Sequence, residues 1–600
     1  MNERRMRNGF VKEIQRRFQT FWMPVSYKRG FAELRTKYKL FVNKGGAPVL
    51  PFGRRTIIMG EKKGEAPMER PKILKSKLYL YLTEFFSGMS VMAVELGASR
   101  LLAPYFSSSQ IVWTIVIGTI MIAMALGNIF GGRWADKNPD PDRLYRRLII
   151  AAVWIAAIPL LGKYVILLIS GALVLTINNN FLIVAAFLSC MIVFVFPLFL
   201  LGTVTPSLVK YTMDSLGDSG RTVGYLGAFN TIGSIIGTFL PTFVTIPAVG
   251  TSVTFLIFSG ILLVLGLLYF LSARRKPVLC IVSLVLFVLC SVFGHGGSFA
   301  FWEEDLAYEG ESIYNYLQVK EDDDSVILST NVLFGVQSIY KKDAGLTGMY
   351  YDYALAGPLM AGAGEAPKDV LVLGMGTGTF ALQTQRYFPQ SRVSGVEIDQ
   401  KITDLAGEYF NLPEDIPVTT YDGRAYLQAD SGTYDVILVD AYQDITIPFQ
   451  MSSVEFFRLV RDHLNPGGVM VVNMNMHTTE PGNINEYLSD TIASVFPAVA
   501  TADVPGATNR ELFAAMDQET LSGLGARVAA LPEGELKTLL AQVERDMTPY
   551  APGDYRLTDD KAPVELLGMS VIDGIISWEL GYYQQVFRER GVSGLLESLS

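Results

Sequence analysis

The sequence predicts two unlike parts: a multi-pass α-helical membrane domain, then a Rossmann-like α/β domain with a small β-unit at its start. Two observations support this division. Half of the 600 residues are hydrophobic, the mean hydropathy is +0.30, and the apolar excess lies before residue 295. Beyond residue 369, short apolar runs alternate with helical stretches, which is the pattern of a parallel α/β sheet.

Charge divides the chain in the same way. Residues 1–77 contain 20 Lys or Arg and 6 Asp or Glu, a net charge of +14, whereas residues 295–600 contain 18 and 45, a net charge of −27. The basic segment suits an anionic lipid surface, and we expect it to be partly disordered or to lie on the membrane. The acidic part would repel nucleic acid, which is therefore not expected as a partner.

Seven apolar segments in residues 78–294 approach the ~20 residues that a membrane-crossing helix needs. The predicted spans are 78–104, 110–131, 147–168, 180–202, 222–246, 251–272 and 277–294. Pro159 interrupts the third span, so in an alternative interpretation Tyr164–Ile177 forms a separate short helix. Lipid is accordingly expected to surround about seven helices.

Three charged residues lie in or at the end of the first span: Glu84, Glu95 and Arg100. Because charge within a membrane is costly, such residues predict either an internal Glu–Arg pair or a functional site.

Lys and Arg favour the cytoplasm, so a multi-pass protein of the cell membrane with a cytoplasmic N-terminus is predicted. Residues 133–147 and 274–276 supply the other basic loops. A seventh span would place the soluble domain outside, whereas a nucleoside cofactor made in the cytosol favours the inside. Both alternatives stay open.

The soluble part is predicted to begin with a small β-unit at 300–360 and to continue as an α/β domain at 361–600. Residues 312–340 alternate in polarity and contain turn residues, which indicates antiparallel strands. Strands are also predicted at 370–373, 393–396, 435–439 and 469–473.

A glycine-rich turn follows the first of these strands, with Gly374, Gly376 and Gly378 preceding a predicted helix at Phe380–Tyr387. Glycines let the backbone turn sharply and approach a ligand against the first turn of the helix. Glu397 ends the next strand, about 20 positions after the turn, where a carboxylate accepts both hydroxyls of a ribose. A tight turn without a ligand is the plainer interpretation, but the full order of elements favours a nucleoside site.

Further polar residues follow the next strands. Asp422 and Gly423 follow a third short strand, Asp440 ends the fourth, and Asp444 lies in the loop after it. Ligands of open α/β sheets bind beyond the carboxyl ends of the strands, so these groups are expected around one cavity. Each carboxylate alone is equally explained as a helix cap or a solvated loop acid. The few Cys and His residues are scattered, and no metal site is predicted.

The membrane half resembles one half of a major facilitator transporter. The loop Gly131–Asp136, followed by Arg143 and Arg146–Arg147, is similar to the family's loop between its second and third helices. Gly224–Pro241 resembles the fifth helix of that family, with glycines at close-packing spacing. Because only about seven spans are predicted, a complete two-half carrier is not expected.

The soluble half resembles the spermidine synthase (polyamine aminopropyltransferase) family, in a branch fused to a membrane domain. The similar stretches are 312–319, Gln337, 349–359, 370–380, 396–399, 421–427, 434–448, 464–468 and 557–565. The resemblance implies an S-adenosylmethionine-dependent transferase type of α/β domain.

That resemblance also implies aminopropyl transfer from decarboxylated S-adenosylmethionine to a small-molecule amine. Gly374, Gly376, Thr377, Gly378, Glu397, Asp422 and Gly423 would bind the cofactor, Asp440 would be catalytic, and Gln337, Tyr350, Asp352 and Asp444 would bind the substrate. A homodimer is left open.

Departures from the family pattern keep two other functions open. The family's GGGDGG is GMGTGT here, so Thr377 replaces an Asp that contacts the aminopropyl amine, and Tyr351 replaces a His. A methyltransferase that uses intact S-adenosylmethionine would not need that Asp. A domain that senses polyamine or nucleoside without catalysis, on a half-transporter unit, is the third alternative.

Overall fold

The computed structural model describes residues 73, 76–106, 109–174, 176–177, 180–212, 219–296, 298–303, 306–332, 336–343, 345–441, 447–475, 478 and 481–599. The predictions for nearly all of the basic segment 1–77 and for Asp444 lie outside these residues.

Nine α-helices of the described residues before position 295 pack as a bundle. In chain order α1–α9 are Lys77–Phe106, Gln110–Lys137, Pro141–Val174, Phe181–Val193, Val195–Gly202, Val204–Thr212, Ser219–Leu240, Ile246–Ala273 and Pro277–Gly294. A π-helical turn, Pro241–Thr245, joins α7 to α8.

Six helical stretches of the described chain are long and apolar enough to cross a membrane, and Phe181–Val193 is a shorter apolar helix. One of the six, Gly220–Ala273, has 54 residues, far more than the ~20 of one crossing. Gly250 interrupts it with a φ of 78° and a ψ of 168°. The bundle therefore contains a break where the sequence predicts the boundary between the fifth and sixth spans.

Helix α3 continues through Pro159 to Val174, so the alternative of a separate helix at Tyr164–Ile177 is wrong. Proline removes one backbone hydrogen bond and bends a helix. It is tolerated in apolar helices because groups of neighbouring helices can satisfy the backbone atoms that it leaves free.

Glycines bring α1 and α7 into close contact. A Cβ atom on Gly233 or Gly237 would collide with the carbonyl oxygens of Phe85 and Met89 on α1. Small residues at this spacing let two helix backbones approach, which is how helices associate in lipid.

The charged residues of α1 do not pair as expected. Glu84 is fully buried, and its Oε1 accepts hydrogen bonds from Thr205 Oγ1 at 2.6 Å and Asn230 Nδ2 at 2.8 Å. Arg100 instead donates to the backbone carbonyl of Ile313. The predicted Glu–Arg pair is therefore wrong for Glu84, because polar side chains of α6 and α7 lie closer to it.

A four-stranded antiparallel sheet follows the bundle, as the alternating residues predict. Its strands lie in the order β1 to β4: Leu306–Glu311, Tyr316–Glu321, Ser325–Ser329 and Ser338–Lys341.

An eight-stranded mixed sheet forms the core of the second part, in the order β12-β10-β11-β9-β8-β5-β6-β7. In chain order β5–β12 are Asp369–Leu373, Arg392–Glu397, Val418–Thr420, Tyr434–Val439, Leu464–Met474, Ala498–Asp503, Arg510–Ala515 and Thr548–Pro549. Strands β5 to β9 pair in parallel, and β9 pairs with β11 in antiparallel register. The four strands predicted from apolar runs are all present.

Helices of this part connect and cover the sheet. In chain order α10–α20 are Tyr350–Ala354, Ala356–Met360, Thr379–Tyr387, Gln400–Tyr409, Gly423–Ala429, Val454–Asp462, Ile484–Ala493, Gln518–Ser522, Leu524–Ala530, Glu535–Asp546 and Val564–Leu599. The last helix returns to the bundle, where Gln584 Nε2 donates to the carbonyl of Val174 at 2.8 Å.

Basic residues lie at the end of the bundle away from the sheets. There Arg275 Nη1 lies 3.5 Å from Asp142 Oδ1, and Lys210 Nζ lies 3.0 Å from Asp136 Oδ1. At the other end, Glu311 of β1 accepts hydrogen bonds from the backbone and hydroxyl of Thr251, which follows the Gly250 break. Helix α9 thus begins at the basic end and ends beside the soluble part.

We predict that Gly233→Ala destabilises the bundle, because the added methyl group has no space against Phe85. Overpacking of this kind costs about 1–3 kcal/mol. Thermal unfolding of the detergent-solubilised protein measures it, with Gly227→Ala as the control, since a Cβ there has nothing within 4 Å. Equal melting temperatures for the two variants would contradict the proposed contact.

Candidate active site

A cavity of about 280 Å³ lies between the β-unit and the carboxyl ends of the parallel strands. Its lining combines glycine backbone, three acidic side chains at or just after strand ends, and aromatic and amide groups. The lining residues include Tyr314, Asn315, Thr330, Gln337, Ser338, Tyr351, Gly374, Gly376, Glu397, Asp422, Gly423 and Asp440.

The glycine turn forms one wall because its backbone has room for no side chain. Gly374 has a φ of 88°, and a Cβ there would lie 2.6 Å from Ala441 Cα. Gly376 has a φ of 54°, and a Cβ there would lie 2.6 Å from the Ser338 hydroxyl. Gly378, with a φ of 87°, is the N-cap of α12, so the turn leads directly into a helix N-terminus that favours polar ligand atoms.

Glu397 lies opposite this turn, at the end of β6. Its Oε2 accepts the Gly376 N–H at 2.9 Å, and its Oε1 accepts the Asp399 N–H at 3.0 Å. Burial raises the pKa of Glu397 to about 7, although these hydrogen bonds lower it. The carboxylate therefore holds the turn in place while it faces the cavity.

Asp422 and Gly423 form the next part of the wall, after β7. Asp422 is the N-cap of α14, and its Oδ1 accepts the Ala425 N–H at 2.8 Å. Asp422 therefore acts as a helix cap, as one of the two sequence interpretations expected, and the same residue also lines the cavity.

Asp440 lies at the end of β8 and is held from two sides. Asn473 Nδ2 donates to its Oδ1 at 2.8 Å, and the Tyr350 hydroxyl donates to its Oδ2 at 2.8 Å. Burial raises the pKa of Asp440 to about 7, with a further increase from the charge of Glu397. A carboxyl with such a pKa exchanges protons readily near neutral pH.

The β-unit and α10 supply the opposite wall. Gln337 lines the cavity, and its carbonyl accepts a hydrogen bond from the Tyr351 hydroxyl at 2.6 Å. Tyr351 is itself a lining residue, whereas Tyr350 lies behind it and orients Asp440.

Two predicted site residues, Thr377 and Asp352, are buried and do not line the cavity. Thr377 is 1% exposed, and its hydroxyl has no hydrogen-bond partner among the described residues. Asp352 is outside the cavity lining, and its carboxylate accepts the backbone N–H groups of Thr347 and Gly348 at 3.0 and 2.7 Å. Its contacts are those of a turn-stabilising residue.

Two residues near Asp440, Asn473 and Glu511, were not predicted from the sequence. Asn473 is at the end of β9, so the same strand-end argument would have found it. Glu511 is cross-strand partner to Asn473, is fully buried, and neither of its carboxylate oxygens has a hydrogen-bond partner among the described residues. Burial raises its pKa well above the usual value, and the charge of Asp440 adds to this. A single acidic residue in the apolar run of β11 was its only sequence signal.

A parallel sheet, a glycine turn, an acidic residue at the second strand end and a buried carboxyl at the fourth are typical of the class of α/β domains that bind nucleoside-type ligands. Among the described residues, no group of three or more His, Cys, Asp or Glu could hold a metal ion.

Comparisons with known proteins agree with this class. The sequence profile of the Spermine/spermidine synthase domain matches residues 353–520. A probable polyamine aminopropyl transferase of Bifidobacterium longum (strain NCC 2705) is 56% identical over 350 residues, which are 56% of this chain and 78% of that protein. A polyamine aminopropyltransferase of Vibrio vulnificus (strain CMCP6) is 26% identical over 245 residues, 39% of this chain and 79% of that protein.

Among solved structures, spermidine synthase from Thermotoga maritima is similar with a TM-score of 0.31 and 18% identity, covering 40% of this chain and 84% of that one. The high identity to the Bifidobacterium relative over most of its length establishes the relationship: the chain belongs to the spermine/spermidine synthase family.

We predict that Glu397→Gln weakens binding of 5′-methylthioadenosine at least tenfold, because an amide cannot accept from both backbone N–H groups and a ribose. Hydrogen bonds to a charged group contribute about 1.5–3 kcal/mol each. Titration calorimetry of the full-length protein measures it, and Glu408→Gln, exposed on α13, is the control. Unchanged affinity in Glu397→Gln would refute the assignment.

Proposed function

We propose that this protein is a membrane-bound aminopropyltransferase that moves the aminopropyl group of decarboxylated S-adenosylmethionine to a di- or polyamine. The buried Asp440 carboxyl at the cavity, fixed by Asn473 and Tyr350, is the observation that most supports it. Family membership supports the reaction type. The bundle of apolar helices supports attachment to the membrane.

The proposed reaction is a direct displacement. The neutral amine nitrogen attacks the aminopropyl carbon that is bonded to the sulfonium sulfur. A C–N bond forms, and the bond between that carbon and sulfur breaks. The electron pair of that bond stays on sulfur, and the neutral thioether 5′-methylthioadenosine is the leaving group. The new secondary ammonium gives its proton to the Asp440 carboxylate, so no metal or redox partner takes part.

The residues of the cavity have assigned roles in this proposal. The glycine turn with Glu397 binds the ribose, and Asp422 and Gly423 bind the adenine. Gln337 lies on the side where the amine enters. Tyr350 contributes through Asp440, and Asp444 keeps its expected role as an amine ligand. The contacts of Asp352 support an indirect role, through the turn before Tyr350.

A methyltransferase is the second candidate, and Thr377 favours it. Its unpartnered hydroxyl replaces the carboxylate that would balance an aminopropyl ammonium. The third alternative, a sensing domain, would need the cavity but not Asp440 as a base.

We also infer that the soluble part lies outside the cytoplasm. The basic residues of the bundle end that contains Lys137, Lys210 and Arg275 favour the cytoplasm. The two sheets pack at the opposite end, beyond α9. A nucleoside cofactor made in the cytosol must then reach the outer face.

Asp440→Asn is expected to lower kcat by 10²–10⁴-fold, about the size of a general-base contribution. In the unchanged protein, the rate should fall as the pH decreases through about 7, because Asp440 is then protonated and cannot accept a proton. Formation of methylthioadenosine from decarboxylated cofactor and putrescine measures both. Asp404→Asn, at an exposed position of α13, is the control. Full activity of the Asp440→Asn variant would exclude Asp440 as the base.

Labelling of intact cells tests the orientation. The native Cys190, Cys280 and Cys290 are buried, so single introduced cysteines dominate the signal. We expect Glu365→Cys to react with a membrane-impermeant maleimide, and Asn138→Cys to react only after permeabilisation. The reverse pattern would place the soluble part in the cytoplasm.

A further inference from the structure

We propose that the helical bundle is part of the nucleoside site, because the end of α1 holds two loops that wall the cavity, and that Arg100 is its main positioning residue. This inference rests on the proposed nucleoside site. It gives the fusion of the two halves a direct role in ligand binding.

The first loop is 312–315, between β1 and β2. Arg100 donates from its guanidinium Nη2 to the carbonyl of Ile313. The next two residues, Tyr314 and Asn315, line the cavity. Movement of the Ile313 carbonyl would therefore move two lining side chains.

The other side of this loop is tied to the ribose carboxylate. Ser312 Oγ and Asn315 Nδ2 donate to Asp399 Oδ2 at 2.5 and 3.0 Å. The Asp399 N–H in turn donates to Glu397 at 3.0 Å. Arg100 also interacts electrostatically with Asp399, so a cation of the bundle lies two contacts from the predicted ribose site.

The second loop follows β3. The Val332 N–H donates to the carbonyl of Pro104 at 3.0 Å. Pro104 is in the last turn of α1, where backbone carbonyls have no partner within the helix. Thr330 and Gln337, on the two sides of Val332 along the chain, line the cavity. The helix end thus uses an otherwise unsatisfied carbonyl to fix the second wall.

A guanidinium suits this position better than other side chains. It donates to a carbonyl while its charge interacts with the carboxylates of Glu311 and Asp399, and a guanidinium combines a fixed charge with planar donors. Its charge favours the ionised form of Glu311, whose pKa is raised by burial. A lysine would supply the charge, but as a compact ammonium without the planar guanidinium group.

The alternative is a purely structural role, in which Arg100 attaches the helical bundle to the β-unit without affecting the cavity. Lys163 provides the matched comparison, because its Nζ on α3 donates to the carbonyl of Ser298 at 2.7 Å. It is also a cation of the bundle that binds a backbone carbonyl before the β-unit. Neither Lys163 nor Ser298 lines the nucleoside cavity.

Calorimetry with 5′-methylthioadenosine on the full-length protein in nanodiscs tests the proposal. Arg100→Met should raise Kd at least tenfold and Arg100→Lys about threefold, whereas Lys163→Met should stay within twofold of the unchanged protein. Melting temperatures are measured in parallel. If Arg100→Met unfolds, the comparison of Arg100→Lys with Lys163→Met decides.

Two results would overturn the proposal: an unaltered Kd in the folded Arg100 variants, or equal weakening by Lys163→Met, which would mean attachment alone. Failure of the unchanged protein to bind methylthioadenosine is a different result. It would reject the nucleoside site of the proposed function, and this inference with it.

Discussion

At the end of β6, the Glu397 carboxylate accepts the N–H of Gly376 through one oxygen and the N–H of Asp399 through the other. Most of the cavity depends on this pair of hydrogen bonds. One of them fixes the glycine turn, whose backbone leaves space for a ligand. The other fixes Asp399, to which the loop of the β-unit is bonded. A buried carboxylate is stable only with such partners, and here the partners are the walls themselves.

Uncompensated acidity is the second property of the site. Burial raises the pKa values of Glu397, Asp440 and Glu511. In addition, the charge of Glu397 raises the pKa of Asp440, and the charge of Asp440 raises that of Glu511. Carboxyls held partly protonated near neutral pH become ionised when a cation arrives. In the proposed reaction, a di- or polyamine substrate would supply that cation. The unpartnered oxygens of Glu511 are thus easier to understand beside an amine site than in an ordinary strand.

Sequence patterns predicted the parallel core because its strands are buried on both faces and are therefore continuous apolar runs. Asp440 followed from the strand-end argument. Glu511 did not follow from it, because β11 is an antiparallel strand added at the side of the parallel core. Only its pairing with β9, where Glu511 lies opposite Asn473, brings it to the site. The contacts of Asp352 could not be predicted for another reason: its partners are the backbone groups of a turn, which no residue pattern specifies.

Product analysis tests the central claim most directly. The full-length protein in nanodiscs would be incubated with putrescine and either decarboxylated or intact S-adenosylmethionine, and the amine products identified by mass spectrometry. The account predicts an aminopropylated amine and methylthioadenosine from the decarboxylated cofactor. A methylated amine from the intact cofactor, with no aminopropyl product, would contradict it.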